Sequence, residues 1–212
     1  MKRFFLILII FCAVFSVSAK NNESLEYLKN SRKTAYRQKT ISGDAVEMQE
    51  IWGWVMQSRF SEFDNALPLT DVGFFAADVD SYGNLANVPD RSKLANFPGR
   101  VHLVLVCDSK SLTHFVLDPK FGLADNMIKQ IMEAAEPFDG INVDYELIPA
   151  KDGQNFLNFL EKLKNECKKN GKMFTVCVPA RIRTIEDDVF PYKKIADMAD
   201  RVMIMAYDEH WS

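Results

Sequence analysis

The sequence predicts an α/β domain, a largely parallel sheet covered on its outer side by helices. Three observations lead there. From residue 101 onward, short apolar runs alternate with helically periodic segments in the order strand, helix, strand, helix, strand, helix, strand. Several of the runs, VHLVLVC at 101–107 above all, are apolar almost throughout, as in parallel strands buried on both faces. The composition, 48% hydrophobic and 26% charged with 9 glycines and 8 prolines in 212 residues, is globular and supports the core of one domain or at most two small ones.

The elements follow in chain order. Met1-Lys2-Arg3, an apolar run over 4–17 and the small residues of Val17-Ser18-Ala19 read as a secretory signal over 1–19, which places the mature chain outside the cell or in the periplasm or cell envelope. An uncleaved anchor is the alternative, but the run is shorter than the roughly 20 residues that span a bilayer. A lipoprotein using Cys12 is weaker still, because that cysteine interrupts the apolar run. No other segment is long enough for a membrane span. Residues 20–48 form a polar, helix-prone leader.

Strands are then expected at 50–56 (EIWGWVM), 72–77 (VGFFAA), 101–107, 141–146 (INVDYE), 173–178 (MFTVCV) and 201–207 (RVMIMAY). Helices are expected at 123–135, where Met127, Ile128, Ile131, Met132 and Ala135 recur at three- and four-residue spacing, and around Phe156, Phe159, Leu160 and Leu163. Asn170-Gly171 stops the second of these. A shorter helix is expected at 191–199. Repeated βαβ units make either an open doubly wound sheet or a barrel, and periodicity does not choose between them. The absence of a Gly-x-Gly-x-x-Gly or phosphate-binding loop argues against a nucleotide-binding sheet.

A formal net charge of −3, with no basic stripe beyond the extreme N-terminus, argues against a nucleic-acid partner. Three cysteines outside the signal, Cys107, Cys167 and Cys177, are too few and too irregularly spaced for a disulfide framework or zinc site. Cys107 and Cys177 lie in apolar runs and read as inert buried thiols, with one bridge still open in an oxidising compartment. His102, His114 and His210 have no metal-ligand spacing. Asp78 and Asp80 read as part of a polar loop ending in the turn glycine Gly83, in preference to a metal pair.

The most informative stretch is FDGINVDYE, residues 138–146. On a strand, alternate side chains share a face, so Asn142, Asp144 and Glu146 line one side at roughly 7 Å intervals while Ile141, Val143 and Tyr145 take the other. A buried carboxylate carries a desolvation cost unless it is paired or has a task, so such a ladder is hard to explain as packing. An edge strand with a solvated polar face is the plainer explanation, and the crossovers on both sides argue against it. If the face points into a barrel, Glu146 stands at the C-terminal end of its strand, where barrel active sites are built. Repulsion from Asp144 and partial burial are then expected to keep Glu146 protonated as a general acid beside an ionised partner.

This stretch resembles the Asp-Gly-x-(Asp/Asn)-x-Asp-x-Glu signature of glycoside hydrolase family 18, the chitinases and related N-acetylglucosaminidases. Met205-Ala206-Tyr207-Asp208 resembles the family's Met-x-Tyr-Asp segment. The following His210-Trp211, and Val178-Pro179-Ala180-Arg181, look most like the bacterial branch acting on cell walls and spore cortex. The resemblance covers about residues 49–212 and implies a (β/α)8 barrel, of which about the first six strand-helix units are present.

The resemblance also implies a substrate-assisted retaining mechanism that needs no cofactor. Glu146 would protonate the glycosidic oxygen, and the substrate's 2-acetamido carbonyl would attack the anomeric carbon. Asp144 would orient that group, assisted by Tyr207. Asp208, Asn142, Trp211 and Asp139 are the expected substrate-binding residues, and the expected partner is a polysaccharide, peptidoglycan or chitin oligomers. Asn142 stands where the commonest chitinase pattern has an aspartate; it reads as a mark of the cell-wall branch and is expected to donate a hydrogen bond to Asp144. Trp52, Trp54, Phe74 and Phe75 are weaker candidates for stacking on sugar rings than Trp211, core packing being the plainer reading of each. A catalytically inactive chitinase-like carbohydrate-binding protein is the alternative function, and an unrelated open α/β protein with three solvent-facing motif residues is the third. Six expected strands against the eight of a barrel of typically about 250 residues lead to a further expectation: a fragment or truncated product, with an open edge between the first and sixth strands.

Overall fold

The computed structural model describes residues 48–206 except 182, 184 and 187. The expected signal and most of the expected leader therefore lie outside the described residues, as do Tyr207, Asp208, His210 and Trp211. Seven strands form one sheet: β1 (Trp52–Met56), β2 (Asp71–Val79), β3 (Leu85–Ala86), β4 (Arg100–Cys107), β5 (Gly140–Tyr145), β6 (Met173–Pro179) and β7 (Arg201–Met205). Their order is β1-β2-β4-β5-β6-β7, every neighbouring pair parallel, with β3 folding back antiparallel on β2. This is a partial barrel wall, and its six parallel strands are the six read from the apolar runs.

Helices α1 (Lys110–Leu117), α2 (Ala124–Ala134), α3 (Gly153–Lys169) and α4 (Tyr192–Ala196) provide the crossovers. α1 escapes the periodicity reading because Thr and Val are weak helix formers; its local signal is Ser109, whose side chain caps the Leu112 N–H. β3 is two residues long, too short to carry a pattern.

α3 shows why the sheet faces separate. Phe156, Leu157, Phe159, Leu160, Leu163 and Cys167 form its buried stripe, and Gly171, at φ 62°, ends the segment where only glycine sits without strain. Tyr145 of β5 stacks on that stripe, 6.4 Å from Phe156 and 5.8 Å from Phe159 between ring centres. Its outward neighbours Ile141 and Val143 join the same core with Leu103, Leu105, Phe174 and Val176. By strand alternation, Asn142 and Asp144 face inward.

The feet of the strands are joined by an ionic network. Asp71, fully buried at the start of β2, accepts from Arg100 Nε at 2.6 Å, Arg100 Nη2 at 2.9 Å, Thr70 Oγ1 at 2.7 Å and His102 Nε2 at 2.8 Å. Burial pushes the Asp71 carboxyl up, but these hydrogen bonds outweigh it and hold the group below its ordinary value. Glu50 accepts from Arg201 at 2.8 and 2.9 Å and from Arg100 at 3.0 Å, which ties the segment before β1 to the foot of β7. The Arg201 hydrogen bond is the main reason that Glu50 titrates at about 2.

Candidate active site

β5 presents the motif by its alternation. Asn142 is fully buried, Asp144 is 6% exposed, and Glu146 stands exposed just past the last residue of the strand. Its backbone N–H still donates to Cys107 O at 3.3 Å, so the β4 pairing carries one step beyond β5 and fixes where the Glu146 side chain leaves the sheet. With Asn142 and Asp144 buried, the reading of three solvent-facing motif residues is excluded.

The burial of the two carboxylates reverses the expectation. Asp144 is the buried one, and desolvation first, then the like charge of Glu146, raises its pKa from the ordinary 3.8 to about 6. Asp144 Oδ1 makes no hydrogen bond to any described residue. Alternation alone identifies which groups share a face; the height of the neighbouring strands decides which of them water reaches.

Asn142 also differs from expectation. Its Nδ2 donates to Thr175 Oγ1 at 2.8 Å and its Oδ1 accepts from the Cys177 thiol at 3.2 Å, so the amide is engaged by β6 and does not donate to Asp144. Thr175 lies opposite Asn142 in the ladder, which brings Cys177 level with Asp144. The three cysteines among the described residues are buried free thiols, yet Cys107 lies on the helix-facing side against Thr113 whereas Cys177 lies on the inner side with the motif.

Asp139 is not part of the site. It lies seven residues before Glu146, roughly 20 Å away along an extended chain, at the foot of β5. There its Oδ2 accepts from Val101 N at 2.8 Å while its backbone pairs with Val101 and Met173. A strand-long motif necessarily has its first residue at the opposite end from its last. Gly140 has a packing reason: a Cβ there would lie 2.3 Å from His102 Nδ1 and 2.7 Å from Met173 O. Burial lowers the His102 pKa, so its ring is neutral and Nε2–H donates to Asp71.

The described aromatic candidates divide. Trp52 is at the foot, 4.4 Å from the His102 ring and hydrogen-bonded to Glu50. Phe74 is in the outer core. Trp54 lies across Gly73 on the inner side, and Phe75, opposite Met56, is half-buried there. Asp78 and Asp80 form no metal pair: Asp78 accepts from Asn87 Nδ2 and Asp80 from the N–H groups of Tyr82 and Asn84.

Two features at the same end of the sheet were not read from the sequence. Arg181 is held by Asp188 and Phe190 O and lies 4.4 Å over the Tyr192 ring, bracing the loop after β6. His114 Nδ1 bonds Asp152 at 2.8 Å, tying α1 to the segment that follows Glu146. Asp118 completes a trio within 4.8 Å, but Lys151 Nζ stands 3.0 Å from His114 Nε2, where its positive charge opposes a bound cation.

Comparison with known proteins agrees with this architecture. Residues 109–212 match the sequence profile of glycosyl hydrolases family 18. The uncharacterized glycosylase YvbX of Bacillus subtilis is 33% identical over 75 residues, 34% of this chain and 22% of that protein. The spore cortex-lytic enzyme SleL of Bacillus megaterium superimposes with a TM-score of 0.65 at 21% identity, over 77% of this chain and 43% of SleL. A class V chitinase from Pseudomonas fluorescens does so with a TM-score of 0.68 at 17% identity, over 76% of this chain and 55% of the chitinase. The matches thus span about a fifth of the curated relative and about half of the solved chains. With the profile match over the motif strand, and the same sheet in solved chitinases, residues 109–212 belong to glycoside hydrolase family 18.

Proposed function

We propose that the protein is a secreted glycosidase cleaving β-1,4 bonds next to N-acetylglucosamine, with peptidoglycan preferred over chitin. The observation that carries this is the contrast within one motif: a buried, inward-facing Asp144 whose proton affinity is raised, beside an exposed Glu146 at the strand mouth. A carboxyl at the mouth can reach a glycosidic oxygen, while an inward one is suited to holding the cationic oxazolinium that a neighbouring acetamido group forms at the anomeric carbon. In this reading Glu146 protonates the leaving group and then activates water, and Asp144 orients the acetamido group. Tyr207, Asp208 and Trp211 complete the sugar site by resemblance. The charged N-terminus and apolar run support export, and among the described residues no helix is long and apolar enough to cross a membrane. The likeness to glycosylases and to a spore cortex-lytic enzyme supports the cell-wall preference.

The test is release of reducing ends from peptidoglycan and from chitooligosaccharides by the wild type and Glu146→Gln, with the anomer formed first read by NMR. A loss of roughly 10² to 10⁴ in rate in the variant, with a retained β-anomer in the wild type, is expected. Equal inertness of both proteins, with the polymer still bound, would establish the non-catalytic sugar-binding alternative.

A further inference from the structure

The hydrogen bonding around Asn142 leaves an open question, namely what couples it to Asp144 two residues on. The two point the same way from β5, but the Asn142 amide is spent on β6: Nδ2 on Thr175 Oγ1 and Oδ1 on the Cys177 thiol. Cys177 is 5% exposed, on the inner face, at the height of Asp144. Thr175 Oγ1, the group holding Nδ2, itself donates to Ile141 O at 3.2 Å, which fixes the amide's orientation and keeps Oδ1 toward the thiol. The neighbour of Asp144 on the other side is Val106, which has no polar group to offer.

We propose that Cys177 is a positioning residue for Asp144, its single thiol hydrogen turning between Asn142 Oδ1 and the Asp144 carboxylate according to the charge that Asp144 carries. When Asp144 is protonated, its own hydrogen can point to sulfur and the S–H bond points to Asn142, as in the structure. When Asp144 is ionised, a carboxylate is the stronger acceptor and takes the thiol hydrogen. No proton is gained or lost by sulfur in either state, since burial raises the thiol pKa far above neutrality. Cys177 thus does for Asp144 what a direct amide contact was expected to do. The same thiol lowers the proton affinity of Asp144 against the upward pull of burial.

Among the described residues, the charged groups facing Asp144 are few. Glu146 follows it on its own strand, and Asp78 of β2 lies level with it through Val106. β6 contributes Cys177 and β7 contributes Met203, neither charged at neutral pH. A response of the thiol to pH can therefore be assigned by substitution.

The test is the S–H stretching band of the full chain, followed by infrared difference spectroscopy against Cys177→Ala and, separately, Cys177→Ser. Either variant removes the Cys177 band and leaves those of Cys12, Cys107 and Cys167, so one well-folded variant suffices. The band should move to lower frequency as pH rises through about 6, and should stay still in Asp144→Asn. A band that does not move in the wild type, or that still moves in Asp144→Asn, overturns the proposal. In activity, which rests on the catalytic reading above, Cys177→Ala should shift the Asp144 limb of the pH profile up by about one unit, with Cys177→Ser restoring it. A chain that hydrolyses nothing defeats the catalytic reading while the band titration still decides the role of Cys177.

Discussion

Asp144→Asn should stabilise the protein at neutral pH while abolishing the proposed glycosidase activity. Asp144 is buried, and one of its oxygens makes no hydrogen bond to any described residue, so its ionisation is resisted by the fold. The pKa rises from 3.8 to about 6, roughly two units, and at 1.36 kcal/mol per unit this corresponds to about 3 kcal/mol at full ionisation. The sign follows from proton binding. Between the two values the folded state binds more protons than the unfolded one, so the contribution to stability is complete below the unfolded value and lost as pH rises through about 6. Asparagine has nearly the same shape and carries no charge, but its new N–H groups need partners, which offsets about 1 kcal/mol. A net gain of about 2 kcal/mol is therefore expected at pH values well above 6, and none, or a small loss, well below 4. Urea unfolding followed by tryptophan fluorescence, run on both proteins at each extreme, measures the difference directly. A pH-independent difference between the proteins, or an equal loss at both extremes, would falsify the assignment of Asp144 as the strained carboxylate.

The remaining predictions concern the scaffold. Asp71→Asn removes the buried negative charge and one of the two acceptor oxygens that Arg100 and His102 share, and should cost about 2 kcal/mol, moderated by the partial exposure of Arg100. Because the folded Asp71 pKa is depressed, this loss should be present above the ordinary carboxylate range and shrink as pH falls through the folded value; urea midpoints across the acid range measure it. Gly140→Ala drives a methyl group against His102 and the Met173 carbonyl and should lower stability by about 1 to 3 kcal/mol; an unchanged melting temperature would disprove the contact. Tyr145→Phe removes a buried hydroxyl that has no hydrogen-bond partner in the structure. It should be neutral or stabilising by up to about 1 kcal/mol, and a clear loss in urea unfolding would reveal a partner for that group.

Much of the fold was legible because barrel strands are apolar, five to nine residues long and bounded by turn residues; all six parallel strands lie within a residue or two of their expected positions. Helices α2 and α3 were legible from their spaced apolar stripes, and α1 was not, because its helix depends on a cap and on the sheet beneath it. The inward face of the motif followed from alternation. What alternation cannot supply is the height of the surrounding wall, which leaves Glu146 exposed and Asp144 buried where a partly buried Glu146 was expected.

The order of residues along the chain thus determined which elements form and which side chains share a face, since backbone periodicity is a local property. Everything that joins distant segments was decided only by the tertiary structure. Glu50 meets Arg201 across 151 positions, and Cys177 meets Asn142 across 35. Cys107 and Cys177 look alike in sequence and are both buried, yet one packs beneath helices and the other faces the carboxylates. That difference comes from strand register, which a pattern of apolar and polar residues along one strand does not encode.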